Sequence, residues 1–384
     1  MDFTYDEEQT ALRDAVRGLL ARSYADFDNR RRAVAEEPGF DEKLWTRLAE
    51  MGVLGLPFAE EDGGMGAGPV EVGIVAQELG RVLAPEPFLT SVVLAGGLVA
   101  ATGSAEQRAE VLGAVAAGEC VLAFAHAEPG TRYASTAAAV TATRSGDGWT
   151  LSGAKEPVPH GARADLLVVS ATLPDGGTGV FLVRPDAAGL SRTGYAIFDG
   201  GRAARVVLED TPATALGTGG DATAAITATL DAARIAAANE AVGAMQFALD
   251  ATSEYLKSRK QFGVPLKTFQ ALTFRAADMY VSLELATSVT AWATMVLAAG
   301  SPQEAVQDVS EAAARAGLQV SRAARHIGQE AIQLHGGIAM TAEYSVGSYT
   351  SHLTALDHLL GDGSFHLAAL SAAVGDHDEV EPLP

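Results

Sequence analysis

Two groups of residues in this chain carry side chains or spacing suited to chemistry. The stretch "IAAANEAVGAMQ", residues 235–246, holds a single carboxylate, Glu240, among alanine, valine, glycine and methionine. At helical spacing its neighbours are Ala236, Ala237, Gly243 and Ala244, so no ion pair within the helix steadies it, and Arg234 falls on another face. An unpartnered carboxylate in a core costs several kcal/mol. Glu240 therefore either faces water or has a task, and a buried carboxylate of raised pKa is suited to accepting a proton. The second group lies further on. "SRKQFGVPLKTFQ" offers Arg259, a charge-assisted donor for phosphate, and "QLHGG" offers Gly336 and Gly337, which have no Cβ to block a nucleotide. Read alone, the same residues also fit a solvated charge at a helix end and an ordinary helix stop.

The elements that must position these groups follow from periodicity. Residues 1–117 alternate amphipathic segments such as "DEEQTALRDAVRGLLARSY" with glycine- or proline-rich breaks, the pattern of a helical domain. Residues 118–218 change to short alternating or apolar runs bounded by turn residues, which predicts a β domain. Residues 219–384 return to long helical patterns. The first of these could span about 38 residues, roughly 55 Å, so it needs equally long neighbours or another subunit.

Composition narrows the function. The formal charge of −21 repels nucleic-acid phosphates, and 6% aromatic residues are too few for a large all-β protein. The single cysteine, Cys120, has no internal disulfide partner, and next to "VLAFA" it reads as a buried structural thiol. The start "MDFTYDEEQT" lacks the basic and apolar regions of a secretion signal, and runs such as "SVVLAGGLVAATG" are too short to span a bilayer. A cytoplasmic protein without a membrane span, a metal site or a nucleic-acid partner is the expectation.

The domain order, "GLPFAEEDGGMG", "AHAEPGTRY", "GWTLSGAK", "SRKQFGVPLKTFQ" and "QLHGGIAMTAEY" together resemble the acyl-CoA dehydrogenase family over essentially the whole chain. Within it, "YLKSRKQFGVPLKTFQ" with "HGGIAMTAEYSVG" and "LLGD" is most similar to the small subunit of pimeloyl-CoA dehydrogenase and to actinobacterial steroid side-chain dehydrogenases. The resemblance implies a mainly α fold: an N-terminal helical domain, a middle β-barrel-like domain and a C-terminal four-helix bundle. It also implies FAD, held by Arg259, Phe262, Gln270, Gln333, Gly336 and Gly337, often across a subunit interface. Its implied reaction is α,β-dehydrogenation of an acyl-CoA thioester, with the α-proton going to a carboxylate and the β-hydride to flavin N5.

Three positions compete for the base. The commonest branch of the family places a glutamate about fourteen residues after an "EYPV"-like turn, and the count from "EYSV" reaches Leu360. A second branch places it before an arginine on the long helix, which here is Ala233. The relatives with an "AxEAVG"-like stretch carry it where this chain has Glu240. Asp362, nearby, reads as a helix N-cap, and His335 as structural. Alanines and Gly243 around Glu240 are expected to leave room for a flat thioester and flavin while withholding cations.

Departures accompany the match. Ala127, Pro157 and Pro159 stand where the family commonly has flavin-ring contacts, and a proline donates no N–H. Ser351 and His352 stand where close relatives often have basic residues. The leading expectation is an FAD-dependent acyl-CoA dehydrogenase, a homo-oligomer or a heterotetramer with a homologous chain, passing electrons to an electron-transfer flavoprotein. The alternatives are a non-catalytic partner completing another chain's flavin or acyl site, and a flavin oxidase or monooxygenase on the same scaffold.

Overall fold

A computed structural model describes residues 4–146, 148–300, 305–342 and 344–376. Asp147 and Glu343, the latter the first residue of the "EYSV" count, lie outside the described residues. The N-terminal region is helical: α1 (Glu7–Ser23), α2 (Phe27–Ala35), α3 (Glu42–Glu50), α4 (Pro69–Val82), a π-helical stretch (Phe88–Gly96), α5 (Gly97–Thr102) and α6 (Ala105–Ala116). Four of the starts have a local cause. Asp6 caps α1 through a bond from the Gln9 N–H, Asp41 caps α3, Ser104 caps α6, and Pro69 opens α4.

Seven strands follow: β1 (Leu122–Ala125), β2 (Thr141–Ser145), β3 (Gly148–Pro159), β4 (Leu166–Thr172), β5 (Thr178–Val183), β6 (Leu190–Ala196) and β7 (Arg202–Ala215). The pairings β4–β2–β3–β7–β5 return to β4, so the sheet closes on itself, with β1 and β6 added to β4 and β7. The runs Leu167–Ala171 and Val180–Phe181 are buried on both faces, with Leu167, Val169, Ala171 and Phe181 inside the β domain and Val168 and Val180 against the N-terminal helices. Register shifts in β3 between Leu151 and Gly153, and again between Lys155 and Val158, bend this strand beside the site.

The chain then enters α7 (Thr223–Ser258), 36 residues long and close to the expected length. A small hairpin, β8 (Lys260–Gln261) and β9 (Val264–Pro265), leads to α8 (Gln270–Ala299), α9 (Ala305–His335), α10 (Val346–Asp357) and α11 (Gly363–Ala372). Helices α7, α8 and α9 pack on one another around Ile235, Met245, Leu283, Ala316 and Ile327. Among the described residues α8 is the one helix long and apolar enough to cross a membrane by length and composition, with 28% of that window buried. Its face carries exposed Phe274, Tyr280, Val281 and Leu285.

Helix α7 also crosses α4 at backbone contact. A Cβ on Gly80 would collide with the Glu240 carbonyl, and one on Gly243 with the Gln77 carbonyl. The expectation that Gly243 clears space for a ligand is therefore corrected. Its missing side chain is filled by another helix.

Candidate functional site

A crevice runs between the β domain and the helices α7 and α10, in two lobes that share Pro157, Pro159, His358 and Leu359 as walls. The smaller lobe, about 250 Å³, is lined by Glu240, His352 and Asp199 together with apolar Leu83, Leu89 and Ile197. The larger, about 640 Å³, is lined by the loop after β1 and by Leu230, Arg234 and Leu360.

Glu240 is 9% exposed and is not alone. The His352 imidazole bridges two carboxylates, from Nε2 to Glu240 Oε1 at 2.9 Å and from Nδ1 to Asp199 Oδ2 at 3.0 Å. Burial alone would strip the ring of its proton, but the hydrogen bonds and charges of Asp199 and Glu240 outweigh it and push His352 up to about 9. The imidazolium donates to both carboxylates at neutral pH. Asp199 also pays for its burial, yet the bond and charge of His352, the Gly201 N–H and Arg30 hold it below the usual carboxylate range. The reading of Glu240 as a carboxylate without a cation is thus overturned: its partner comes from a helix 112 residues further along the chain. Asp199, in the β6–β7 hairpin, could not have been found from spacing. His352 carried a signal, since a protonated histidine restores the positive charge expected at that position.

The rival base positions are occupied otherwise. Ala233 is fully buried. The Leu360 carbonyl accepts from Arg234 Nε at 2.9 Å, and Arg234 also pairs with Asp231 at 2.7 Å. Asp362 caps α11, accepting from the Phe365 N–H at 2.9 Å, which helps hold its carboxyl below the ordinary value.

The wall on the β side is rigid. Lys155, fully buried, donates to Glu128 at 2.7 Å, to the His126 carbonyl at 3.0 Å and to Ser170 Oγ at 3.0 Å. Ser170 meets His126 Nδ1 at 2.8 Å, and His126 Nε2 meets the Ala134 carbonyl at 2.8 Å. Burial lowers Lys155 to about 8 and His126 to about 4, so the neutral imidazole donates from Nε2 and accepts the Ser170 hydroxyl proton at Nδ1. Glu128 accepts three further N–H groups, from Ala138, Ala139 and Val140. Ala127, Pro157 and Pro159 border the larger lobe and bring neither a hydroxyl nor, in the prolines, an N–H.

The six residues expected to hold the cofactor are elsewhere. Arg259, Phe262, Gln270, Gln333, Gly336 and Gly337 are all exposed, and none lines either lobe. The two segments are neighbours, because the His335 ring lies tilted between Tyr255, 4.5 Å away near the end of α7, and Tyr344, 5.0 Å away. His335 is thus the structural residue expected, with Nδ1 on the Ala331 carbonyl at 2.7 Å. Phe262 and Gly263 turn the β8–β9 hairpin with φ of 55° and 82°, the geometry of a two-residue primed turn. A phenylalanine is costly there, and its ring is 91% exposed. A Cβ at Gly336 or Gly337 would meet nothing within 4 Å, and among the described residues no carboxylate pairs with Arg259. A cation without a carboxylate partner among the described residues, together with open backbone at Gly336 and Gly337, is chemically compatible with a dinucleotide's phosphates, as FAD requires.

Two family profiles match the sequence: the acyl-CoA dehydrogenase N-terminal domain over residues 6–119 and the acyl-CoA dehydrogenase C-terminal domain over residues 221–374. The chain is 31% identical over 363 residues to acyl-CoA dehydrogenase FadE12 of Mycobacterium tuberculosis, covering 90% of each. Among solved structures it is similar to a chain of the Tcur3481-Tcur3483 steroid ACAD G363A variant, with TM-score 0.86 and 34% identity over 96% of this chain and 98% of that one. It is also similar to a chain of the ChsE4-ChsE5 complex from Mycobacterium tuberculosis, with TM-score 0.87 and 26% identity over 99% and 100%. A glutaryl-CoA dehydrogenase from Mycobacterium smegmatis in complex with FADH2 shares the fold at TM-score 0.88 and 23% identity, over 98% and 97%.

Proposed function

The chain belongs to the acyl-CoA dehydrogenase family, whose members are FAD-dependent oxidoreductases, and on that premise we propose that Glu240 is the base that takes the α-proton of an acyl-CoA thioester. The observation that carries this reading is the placement of Glu240 on the smaller lobe while Ala233 and Leu360, the other two base positions, hold no carboxylate. His352 occupies Oε1 and fixes the side chain, which leaves Oε2 to accept the proton. Asp199 and Arg30 hold His352 and the hairpin in turn, since Arg30 donates to the Asp199 carbonyl at 3.1 Å and to the Leu83 carbonyl at 2.7 Å. The apolar walls keep water from the α-carbon. Bound FAD supplies the hydride acceptor for the β-hydrogen.

The exposed ends of α7 and α9, and the apolar face of α8, are read as surfaces that meet a second chain, a copy or a homologue. Arg259, Gln333, Gly336 and Gly337 then hold FAD at that interface, with Phe262 and Gln270 beside them. The Tcur3481-Tcur3483 and ChsE4-ChsE5 relatives support the heteromeric form of this reading. Electron-transfer flavoprotein as the acceptor and a cytoplasmic location complete it.

The deciding experiment is anaerobic addition of acyl-CoAs to the FAD-loaded protein. Glu240→Gln is expected to keep the yellow flavin spectrum and fail to bleach. Full-rate bleaching by that variant would remove Glu240 from the role.

A further inference from the structure

The hydrogen-bonded row Glu240, His352, Asp199 joins three elements: α7, α10 and the turn between β6 and β7. Its two ends are held unequally. Asp199 Oδ1 accepts the Gly201 N–H at 2.8 Å and the Asp199 carbonyl accepts from Arg30 at 3.1 Å, so this end is fixed without His352. Among the described residues His352 is the one group that donates to the Glu240 carboxylate. Both ring nitrogens meet carboxylate oxygens, at 2.9 and 3.0 Å, an arrangement that needs a hydrogen on each. A neutral ring has one N–H for two carboxylates, and its bare nitrogen then faces an oxygen at hydrogen-bond distance. Because Asp199 is anchored and Glu240 is not, the carboxylate that turns away is Glu240.

We propose that Asp199 is a positioning residue for the base: it keeps His352 doubly protonated, and the proton on His352, rather than the base itself, sets the alkaline limit of proton abstraction. The inference rests on the reading of Glu240 as the base. Burial pulls the His352 ring down, and the bonds and charges of Asp199 and Glu240 hold it at about 9. The ring is therefore cationic at neutral pH, and the orientation of Glu240 is lost as pH rises through about 9. Removing the Asp199 charge takes away one of the two anions that raise the ring, so the limit moves down by about 1–3 pH units. The other charged and titratable groups around the lobe do not set this limit. Arg30 and Arg202 are guanidiniums, which keep their charge. Burial lowers His160 to about 4 and raises Glu86 to about 7, both short of the window. His358 meets Asp357 at 3.3 Å instead, and Tyr349, one turn before His352, donates to the Arg81 carbonyl and is raised by burial.

The test is anaerobic stopped-flow flavin reduction of the FAD-loaded protein from about pH 6 to about pH 10, with urea unfolding over the same range. The probe is whichever of butanoyl-, octanoyl- and steroid side-chain CoA thioesters bleaches the flavin fastest. The parent is expected to lose second-order rate by about tenfold per pH unit above about 9. Asp199→Asn keeps an acceptor for His352 Nδ1–H and for the Gly201 N–H. It is expected to lower the rate at about pH 8 by tenfold or more, with part of that loss recovered near pH 6. His352→Gln donates to Glu240 without titrating, and it is expected to run about 10–100-fold below the parent near pH 7 and to show no alkaline loss. An alkaline loss that stays at the parent's pH in both variants overturns the proposal and leaves the dehydrogenase reading standing. An unfolding window that moves in Asp199→Asn while the rate profile does not shows a structural role only, and also overturns it. A flavin that bleaches with none of the three thioesters overturns the proposal together with the reading it rests on.

Discussion

Two stations on α7 differ in almost every physical respect. At Glu240 the helix is enclosed: α4 touches its backbone, His352 from α10 holds its carboxylate, and the β6–β7 hairpin holds His352. At Arg259, about 28 Å further along at 1.5 Å per residue, the helix ends in a hairpin tip with an exposed phenylalanine and an arginine that pairs with no carboxylate among the described residues. The first station satisfies its own charges. The second leaves a donor, two open glycines and an apolar ring exposed. On the proposed assignment, the contrast sets a base closed in by its own chain against a cofactor site that lies open on the surface.

The strongest challenge to that contrast is at the enclosed station. Glu240→Gln should lower the flavin-reduction rate by about 10²–10⁴ with FAD content unchanged, as stopped-flow absorbance would report. Next comes the scaffold on the β side. Lys155→Met leaves the buried Glu128 carboxylate without its cation, so urea unfolding should show a loss of about 3–5 kcal/mol, and adding Glu128→Gln, which removes the charge and keeps an acceptor for the backbone N–H groups, should recover part of it. A variant as stable as the parent would mean that water reaches this pair.

At the exposed station, Arg259→Ala should weaken FAD by about 10–100-fold, measured by fluorescence on dilution, without changing the unfolding midpoint. Loss of stability instead would show that the arginine serves the fold, and the contrast would fail. The His352 bridge gives a smaller effect with a defined sign. Its folded value of about 9 lies above the usual histidine value, so its contribution is complete below about pH 6.5 and is lost as pH rises through 9. The unfolding free energy should fall across that window by on the order of 1–3 kcal/mol, and His352→Gln should flatten the profile. Smallest of all, Gly337→Ala should leave stability within about 0.5 kcal/mol while weakening FAD, because its Cβ meets open space in the chain.

Much of the architecture was legible because it is written in short-range periodicity. The change from helical to alternating pattern near Cys120, the 36-residue helix and the Asp362 cap all depend on neighbours within a few positions. What stayed hidden depends on distant residues. Nothing around Glu240 announces His352, and nothing around His352 announces Asp199; only folding brings the three together. Gly243 misled for the same reason, since a missing side chain does not say whether a ligand or a helix fills the gap. The exposure of Arg259, Phe262 and Gly336, which the resemblance offers as cofactor residues, was not legible, because periodicity does not separate a buried loop from an open one.

The Gly80–Gly243 crossing carries a mechanical consequence. With no side chains between them, α4 and α7 have no compressible layer, so the carbonyl of Glu240 is indexed directly against the N-terminal domain. A substitution at Gly80, which touches neither lobe, would reset the reach of the carboxylate as surely as one inside the crevice. Tolerance to mutation along this chain is therefore governed by leverage rather than by distance from the substrate.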